Sequence, residues 1–208
     1  TGRDLNPGPP PCQGDALPPE LPARINGFNF LIFKVNVIFW SSWGTIMKNI
    51  RIRNLEEEDL IQIAELAGKC SPMITEKNSV YHLFTKFFKR TSFVVEDHGK
   101  GIMGFLLGFI SQENINEAYI HLLCVKPGFK KEGLASCLLK NLFEVLKAAG
   151  CRRVFLVTNP RNKVAISFYK NLGFTEYETD QTMNLNGLKV ARDYSGPGDH
   201  RVVFFKMV

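Results

Sequence analysis

The chain has 208 residues, of which 45% are hydrophobic, and this supports one domain with a substantial core and argues against two. Its formal net charge is +6, and the basic excess falls entirely after residue 46, so this basic part suits an anionic partner, either a nucleic acid or a phosphorylated cofactor. The five cysteines and four histidines form neither a C-x-x-C nor an H-x-x-x-H pair, so we expect no metal and a reduced, cytoplasmic environment.

Residues 1–46 carry no signal of a folded domain. Seven of the eleven prolines lie within 1–26, where no hydrophobic period appears, so this part is expected to be disordered. The apolar run over 28–40 is interrupted by polar residues and is shorter than the roughly 20 residues of a membrane helix, so we expect no membrane span. Met47 precedes the first strand-like alternation. We therefore predict a disordered or non-native extension over 1–46 and a folded domain over 47–208.

The first half of that domain is predicted to contain a strand, a helix and a hairpin. Alternation over 50–53 indicates the strand, and apolar residues at helical spacing indicate a helix whose first turn contains the acidic residues 56–59 and which ends near Lys69. The runs 92–96 and 102–111 are rich in β-branched and aromatic residues and flank a glycine-containing turn. They are expected to pair antiparallel.

The second half alternates strands with helices, which is typical of an α/β fold. A strand over 118–125 leads to a helix over 134–149, and a short strand over 154–158, expected to be buried on both faces because nothing polar interrupts it, leads to a helix over 163–172. Asn186-Gly187 predicts a hairpin turn between 182–185 and 188–191. The last strand is expected over 202–207, after a loop over 194–200.

The connection from the strand at 118–125 to the helix at 134–149 is the most informative segment. It reads V-K-P-G-F-K-K-E-G-L-A over 125–135. The start of a helix offers unpaired backbone N–H groups and positive dipole potential, so this position favours a phosphate or pyrophosphate. Lys126, Lys130 and Lys131 add to that potential, and Gly133 permits close backbone approach. The alternative is an ordinary basic connection.

The same segment resembles the acetyl-CoA loop of the GNAT (GCN5-related N-acetyltransferase) superfamily, R/Q-x-x-G-x-G/A after a strand ending in Val-x-Pro. Lys130, Gly133 and Ala135 occupy its three defined positions. Lys130 departs from the usual Arg or Gln, and Lys131 replaces a frequent glycine, but neither change removes a backbone donor. A second segment, 162–174, is similar to the family pattern N-x-x-A-x-x-F/L-Y-x-x-x-G-F at every defined position. The resemblance covers nearly all of residues 50–208.

This resemblance implies an α/β (α+β) GNAT fold, in which a mixed central sheet of about six to seven strands is flanked by helices and splayed between the fourth and fifth core strands. It implies an acetyl-CoA-dependent N-acetyltransferase in which the amine attacks the thioester directly, in a ternary complex with acetyl-CoA as co-substrate and without a metal. The cofactor-binding residues that it implies are Leu123, Cys124, Val125, Lys130, Lys131, Glu132, Gly133, Leu134, Ala135, Asn162 and Tyr169.

Two residues are candidates for proton transfer. By the resemblance, Tyr169 is the general acid that protonates the departing coenzyme A thiolate; the alternative is a core aromatic beside Phe168. His121 stands where related enzymes often have a base that works through water, and its ordinary pKa near 6.5 suits that role; the alternative is a half-buried strand histidine. Glu117 and Tyr119, its neighbours, are alternative candidates for the general base or for assisting His121 in that role.

Asn162 and Cys124 each have two interpretations. Asn162 either contacts the pantetheine arm or caps the helix that follows. Cys124 is either the carrier of an acetyl-cysteine intermediate or a residue that only packs in the core. Free cysteines usually pack, so we predict packing for Cys124.

The acceptor amine is expected to contact the parts outside the two motifs, 70–89 and 192–201. Glu117, Tyr119 and Asp193 are candidate substrate-binding residues, although Asp193 serves equally well as a turn cap. A loose resemblance of 78–81 and 91–96 to diaminobutyrate acetyltransferases of ectoine synthesis favours a small, amino-acid-like amine. The alternatives are acetylation of protein or peptide N-termini, or a non-catalytic acetyl-CoA- or nucleic-acid-binding module. The absence of RNA-recognition and helix-turn-helix patterns argues against nucleic acid, and a homodimer is compatible with the sequence.

Overall fold

The computed structural model describes residues 39–40, 46–47, 50–72 and 75–208. The first two pairs form short antiparallel strands, β1 (Phe39–Trp40) and β2 (Ile46–Met47). The prediction of disorder over 1–26 lies outside the described residues. The predicted domain boundary at 46 and 47 stays a prediction.

A seven-stranded mixed sheet forms the centre of the protein. Its strand order is β3-β4-β5-β6-β7-β11-β8, and all neighbours are antiparallel except β6 and β7, which are parallel. This confirms the predicted mixed sheet. The strands are β3 (Ile50–Asn54), β4 (Phe93–Asp97), β5 (Gly101–Ile110), β6 (Glu117–Val125), β7 (Arg153–Thr158), β8 (Thr175–Glu176) and β11 (Val202–Met207).

Four helices and a separate hairpin complete the described part. The helices are α1 (Leu60–Gly68), α2 (Asn78–Lys86), α3 (Leu134–Ala148) and α4 (Lys163–Asn171). The strands β9 (Thr182–Leu185) and β10 (Leu188–Ala191) pair antiparallel. Asn186 and Gly187 join them with positive φ angles of 52° and 81°, as expected for an Asn-Gly hairpin turn.

The sheet separates two hydrophobic cores. Leu138 and Leu142 of α3 pack with Leu156 of the sheet in one core, while Ile63 of α1 and Phe84 of α2 belong to the other. Helices therefore flank the sheet on both sides, with α1 and α2 on the face opposite α3. The first face carries the predicted cofactor helix.

Strands β6 and β7 diverge along their length. Their parallel pairing covers Glu117–Ile120 against Arg153–Leu156, although β6 continues to Val125. Beyond Ile120, β6 stays paired with β5 on its other side, through Leu122 to Val125. The edge of β6 that faces β7 is therefore unpaired, which is the predicted splay between the fourth and fifth core strands.

One sequence expectation about strands was wrong, and one strand was missed. Strand β7 was expected to be buried on both faces, but Phe155 and Val157 are only half-buried, and Phe155 lines an open groove. The short strand β8 was not predicted. It contributes two residues paired with Phe204 and Phe205, too few for a sequence pattern to reveal.

The sequence did not predict a disulfide. Cys70, just after α1, forms a disulfide with Cys124 of β6. The two residues are 54 positions apart in sequence and have Cα atoms 6.0 Å apart, so no local pattern could reveal the pair. Cys137 and Cys151 are free.

Candidate active site

The predicted phosphate-binding loop connects β6 to α3 and leaves the start of α3 open. Gly133 is the N-cap residue with a φ of 83°, and no side chain caps the helix. The N–H groups of a first helical turn have no intrahelical acceptors, so those of α3 point toward any ligand at the loop. Lys130 and Lys131 are exposed and form no ion pair within the part of the chain that the structure describes. This arrangement fits a pyrophosphate through backbone donors and positive charge.

Two further loop residues behave differently from each other. Leu134 is buried and anchors α3 in the core, so its contribution to a ligand is its backbone. The Glu132 Oε2 atom is buried without a hydrogen-bond partner among the described residues. Because its side chain is anionic, Glu132 suits a phosphate only through its backbone N–H group.

The unpaired edge of β6 supplies extended backbone beside this loop. Leu123, Cys124 and Val125 pair with β5 on one side only, which leaves the groups on the other side free to bind an extended ligand as a further strand does. Gly104 of β5 lies close to this segment, since a Cβ there would be 2.8 Å from the Cys124 carbonyl oxygen. The segment fits the pantetheine arm of coenzyme A.

Tyr169 of α4 is packed among aromatic rings on the face of the sheet that carries α3. Its ring centroid lies 5.3 Å from that of Phe168, 5.5 Å from Phe174 and 6.1 Å from Phe204. Burial raises the pKa of Tyr169, and Tyr119 raises it further. The phenol therefore keeps its proton at neutral pH, as a general acid requires. The catalytic role of Tyr169 stays a prediction.

Asn162 caps α4. Its side-chain oxygen accepts a hydrogen bond from the Ala165 backbone N–H at 3.1 Å, and Asn162 is the N-cap residue of the helix. The capping interpretation is therefore observed. Contact with a pantetheine arm stays a prediction.

His121 of β6 lies on the opposite face, next to α2. Its ring stacks on Phe84 with centroids 5.1 Å apart and an interplanar angle of 10°. Its Nε2 atom is buried without a hydrogen bond among the described residues, although the Glu76 Oε1 atom lies 3.4 Å away. Burial lowers the pKa of His121, and Glu76 opposes that effect. His121 thus favours the neutral, proton-accepting form.

Tyr119 and an open groove continue this face of the sheet. The Tyr119 and His121 ring centroids are 6.4 Å apart, and burial raises the pKa of Tyr119 to about 12, with Tyr194 raising it and Arg201 lowering it. The groove has a volume of about 510 Å³. Its lining residues are Phe109, Ser111, Glu117, Ala118, Tyr119, Phe155, Tyr177, Thr179, Tyr194 and Val203.

The two acidic residues predicted to bind the acceptor, Glu117 and Asp193, interact with other groups of the protein. Glu117 lines the groove but accepts a hydrogen bond from Arg153 at 2.5 Å. Asp193 accepts a hydrogen bond from the Gly198 backbone N–H at 2.7 Å, and its Oδ1 atom lies 3.4 Å from the His200 Nδ1 atom. Asp193 thus structures its own loop, which was the alternative interpretation. Substrate roles for Glu117, Tyr119 and Asp193 stay predictions.

Several residues of this site were missed from sequence. Glu76 and Phe84 meet His121 only in the folded chain, and Phe155, Tyr177 and Tyr194 converge on the groove from separate elements. The alternation of Tyr119 and His121 along one strand could have indicated a shared face. Nothing in the sequence pairs Glu76 with that face.

Two general properties bear on the site. Among residues 50–72 and 75–208, no group of three or more His, Cys, Asp and Glu side chains could hold a metal ion. In the same described part, no helix is long and apolar enough to cross a membrane.

Comparisons with known proteins agree with this geometry. A model of the acetyltransferase (GNAT) family matches residues 60–174. An uncharacterized N-acetyltransferase of Methanocaldococcus jannaschii is 34% identical over 145 residues, which cover 64% of this chain and 64% of that protein. N-alpha-acetyltransferase 30 of Schizosaccharomyces pombe is 28% identical over 118 residues, covering 54% of this chain and 76% of that protein.

A solved structure shares the fold. Diaminobutyrate acetyltransferase EctA of Paenibacillus lautus, in complex with L-2,4-diaminobutyric acid and coenzyme A, aligns with a TM-score of 0.59 and 19% identity. The alignment covers 75% of this chain and 93% of that chain. At this level of identity, the likeness describes the fold alone.

Proposed function

The chain belongs to the acetyltransferase (GNAT) family, and from this premise we propose that it transfers the acetyl group of acetyl-CoA to the primary amine of a small, amino-acid-like molecule. One observation carries the proposal: the unpaired edge of β6 leads into the open start of α3, while Tyr119 of the same strand lines a groove on the other side of the sheet, with its ring centroid 6.4 Å from that of His121. A cofactor and an amine can thus approach one strand from two directions.

The residues that would hold acetyl-CoA are those of the loop and the free strand edge. Backbone N–H groups near Gly133, together with Lys130 and Lys131, bind the pyrophosphate. The backbone of Leu123 to Val125 aligns the pantetheine arm. When bound, acetyl-CoA supplies the activated acetyl group that the amine attacks directly in a ternary complex.

The two proton transfers take place on opposite faces of the sheet. The His121 Nε2 atom, buried and lacking a hydrogen bond in the described part, receives the proton that the attacking amine must lose, directly or through a water. Tyr169 keeps its proton on Oη because burial raises its pKa, and it donates that proton to the departing thiolate. The ring of Tyr119 lies 6.4 Å from that of His121, and Tyr119 adds to the raised pKa of Tyr169.

The charges around the groove support an amino-acid-like acceptor. The Glu76 carboxylate lies beside His121 and attracts a cationic ammonium group. The positive charge of Arg201 lowers the pKa of Tyr119. Arg201 donates a hydrogen bond to Asp199 at 2.7 Å, and its guanidinium is also the cation for a substrate carboxylate. One charge lies near His121 and the other acts on Tyr119 of the same strand, and an amino acid carries the two complementary charges.

A peptide N-terminus is the second candidate acceptor. The groove continues from Tyr119 past Tyr177 and Tyr194, which are 38% and 48% exposed, so it is open to solvent rather than closed around a small molecule. A chain that extends beyond the reacting amine would fit along these aromatic side chains.

Thiol release from acetyl-CoA tests both candidates. Purified protein is assayed with separate pools of amino acids and diamines, polyamines, aryl amines, and peptides with varied first residues, against a control without amine. We expect turnover with the first pool and an acetylated product in mass spectrometry. Turnover with peptides alone would replace the first candidate by the second. Acetyl-CoA binding without thiol release from any pool would overturn the proposed activity.

A further inference from the structure

Glu76 lies against the candidate base but belongs to neither sequence motif. Its Oε1 atom is 3.4 Å from His121 Nε2, and the two side chains are 32% and 26% exposed. Glu76 comes from the segment between α1 and α2, whereas His121 is on β6. The pair therefore exists only because the fold brings this segment over the strand.

Both members of the pair are held by buried aromatic residues of α2. The Glu76 backbone N–H donates a hydrogen bond to the Tyr81 Oη atom at 3.1 Å, and Tyr81 is only 1% exposed. Phe84, one turn later, stacks flat on the His121 ring. Helix α2 thus fixes the backbone of Glu76 and the plane of the imidazole together.

The surroundings of His121 contain few other titratable groups. Tyr119 approaches from its own strand, Tyr81 approaches Glu76 from α2, and Phe84 presents an apolar ring. Of the charged groups that the structure describes, Glu76 alone acts on the protonation of His121. An imidazolium formed here depends on Glu76 for its counter-charge.

We propose that Glu76 is a positioning residue that acts through His121 to receive the proton of the acceptor amine. This inference rests on the proposed function. In the step, an N–H bond of the acceptor ammonium breaks, directly or through a water, as an N–H bond forms at His121 Nε2. The electron pair left on the acceptor nitrogen forms the C–N bond to the acetyl carbon as the C–S bond breaks. The departing thiolate takes the Tyr169 proton, and the new amide nitrogen returns a proton to the Tyr169 phenolate. The imidazolium charge then lies beside Glu76, whose Oε1 atom is 3.4 Å from Nε2.

The electrostatic balance explains why a carboxylate is needed. Burial disfavours the charged imidazole and lowers its pKa, while Glu76 raises it. Burial alone would lower the pKa further, since a partly desolvated charge without a partner is costly. Glu76 offsets part of this effect, with its Oε1 atom 3.4 Å from Nε2.

The test combines an imidazole titration with a pH–rate profile in the full chain. Glu76→Gln removes the charge and keeps the shape, Glu76→Asp keeps the charge, and Glu65→Gln, at an exposed position of α1, makes the same charge change away from the site. Nuclear magnetic resonance follows the ring of His121 in each variant. Thiol release with an accepted amine gives kcat/KM against pH.

We expect Glu76→Gln to lower the His121 pKa by about one pH unit, a modest value because both side chains are partly exposed. The acidic limb of kcat/KM should move down by the same amount, with kcat at its plateau reduced about ten-fold. Glu76→Asp should recover part of both effects, and Glu65→Gln should match the parent protein.

Two results would overturn the proposal. An unchanged His121 titration in Glu76→Gln would show that the carboxylate does not act on the imidazole. A shifted titration with an unmoved acidic limb would show that His121 does not receive the proton, although turnover would still support the proposed function. Failure of the proposed function itself would appear separately, as no thiol release from the parent protein, because the titration needs no turnover.

Discussion

Tyr169 connects the two faces of the sheet at the scale of a single residue. Its ring packs against Phe174 and Phe204 on one side, and its pKa is raised by burial and further by Tyr119, which lines the groove on the other. A packed ring and a reactive hydroxyl are therefore compatible in one residue.

Replacing Tyr169 by Phe should keep the packing and remove the acidic proton. We expect kcat to fall about ten-fold or more, with little change in KM for acetyl-CoA, because proton donation matters in the transition state rather than in binding. Steady-state thiol release measures both constants. Tyr177→Phe, which also removes a phenol from the groove-lining face, is the control and should retain kcat. Full kcat in Tyr169→Phe would exclude the acid role.

Sequence identified some of the site residues and missed others for a physical reason. Tyr169 and Lys130 stand at fixed positions in motifs whose spacing follows one strand and one helix, so a linear pattern locates them. Glu76 faces His121 only through the packing of α2 on the sheet, and side-chain contacts of this kind leave no trace in local spacing. The roles assigned to these residues remain predictions for the assays above.

At the scale of elements, periodicity predicted most helices and strands but not their surroundings. Helix α3 was expected over 134–149 and forms over Leu134–Ala148, because its apolar spacing and Gly150 are both local signals. Strand β7 was placed correctly, but an apolar strand does not reveal whether a helix or an open groove covers each face. Burial of a face is set by tertiary packing.

The disulfide between Cys70 and Cys124 joins two elements that a sequence pattern could not pair. It ties the end of α1 to β6, the strand that carries His121. Closing a loop with a sequence separation of 54 restricts the unfolded chain, so the bond should stabilise the fold by about 2–4 kcal/mol. Reductant should therefore lower the midpoint of urea denaturation.

The matched variants separate this bond from the free thiols. Cys70→Ser should lower the midpoint by a similar amount and abolish the response to reductant, whereas Cys137→Ser, at a free cysteine, should respond like the parent protein. Equal midpoints with and without reductant in the parent protein would contradict a stabilising disulfide.

At the scale of the whole molecule, the sheet separates the two proposed substrate sites. The open start of α3 and the buried face of α4 lie on one side, and the groove lined by Tyr119 lies on the other. The free edge of β6 is the place where both sides meet. In the proposed function, neither substrate needs to leave before the other arrives.

This arrangement predicts a sequential kinetic mechanism. The sulfur of Cys124 is bonded to Cys70, so it offers no thiol to carry an acetyl group, which agrees with the proposed direct attack of the amine on acetyl-CoA. Double-reciprocal plots of initial rate, with both substrates varied, should give intersecting lines. The variant Cys70→Ala/Cys124→Ala should retain turnover once its lower stability is allowed for, since neither sulfur takes part in the transfer. Parallel lines, together with loss of turnover in that variant, would instead indicate a ping-pong reaction through an acetyl-cysteine, and they would require the disulfide to open during each cycle.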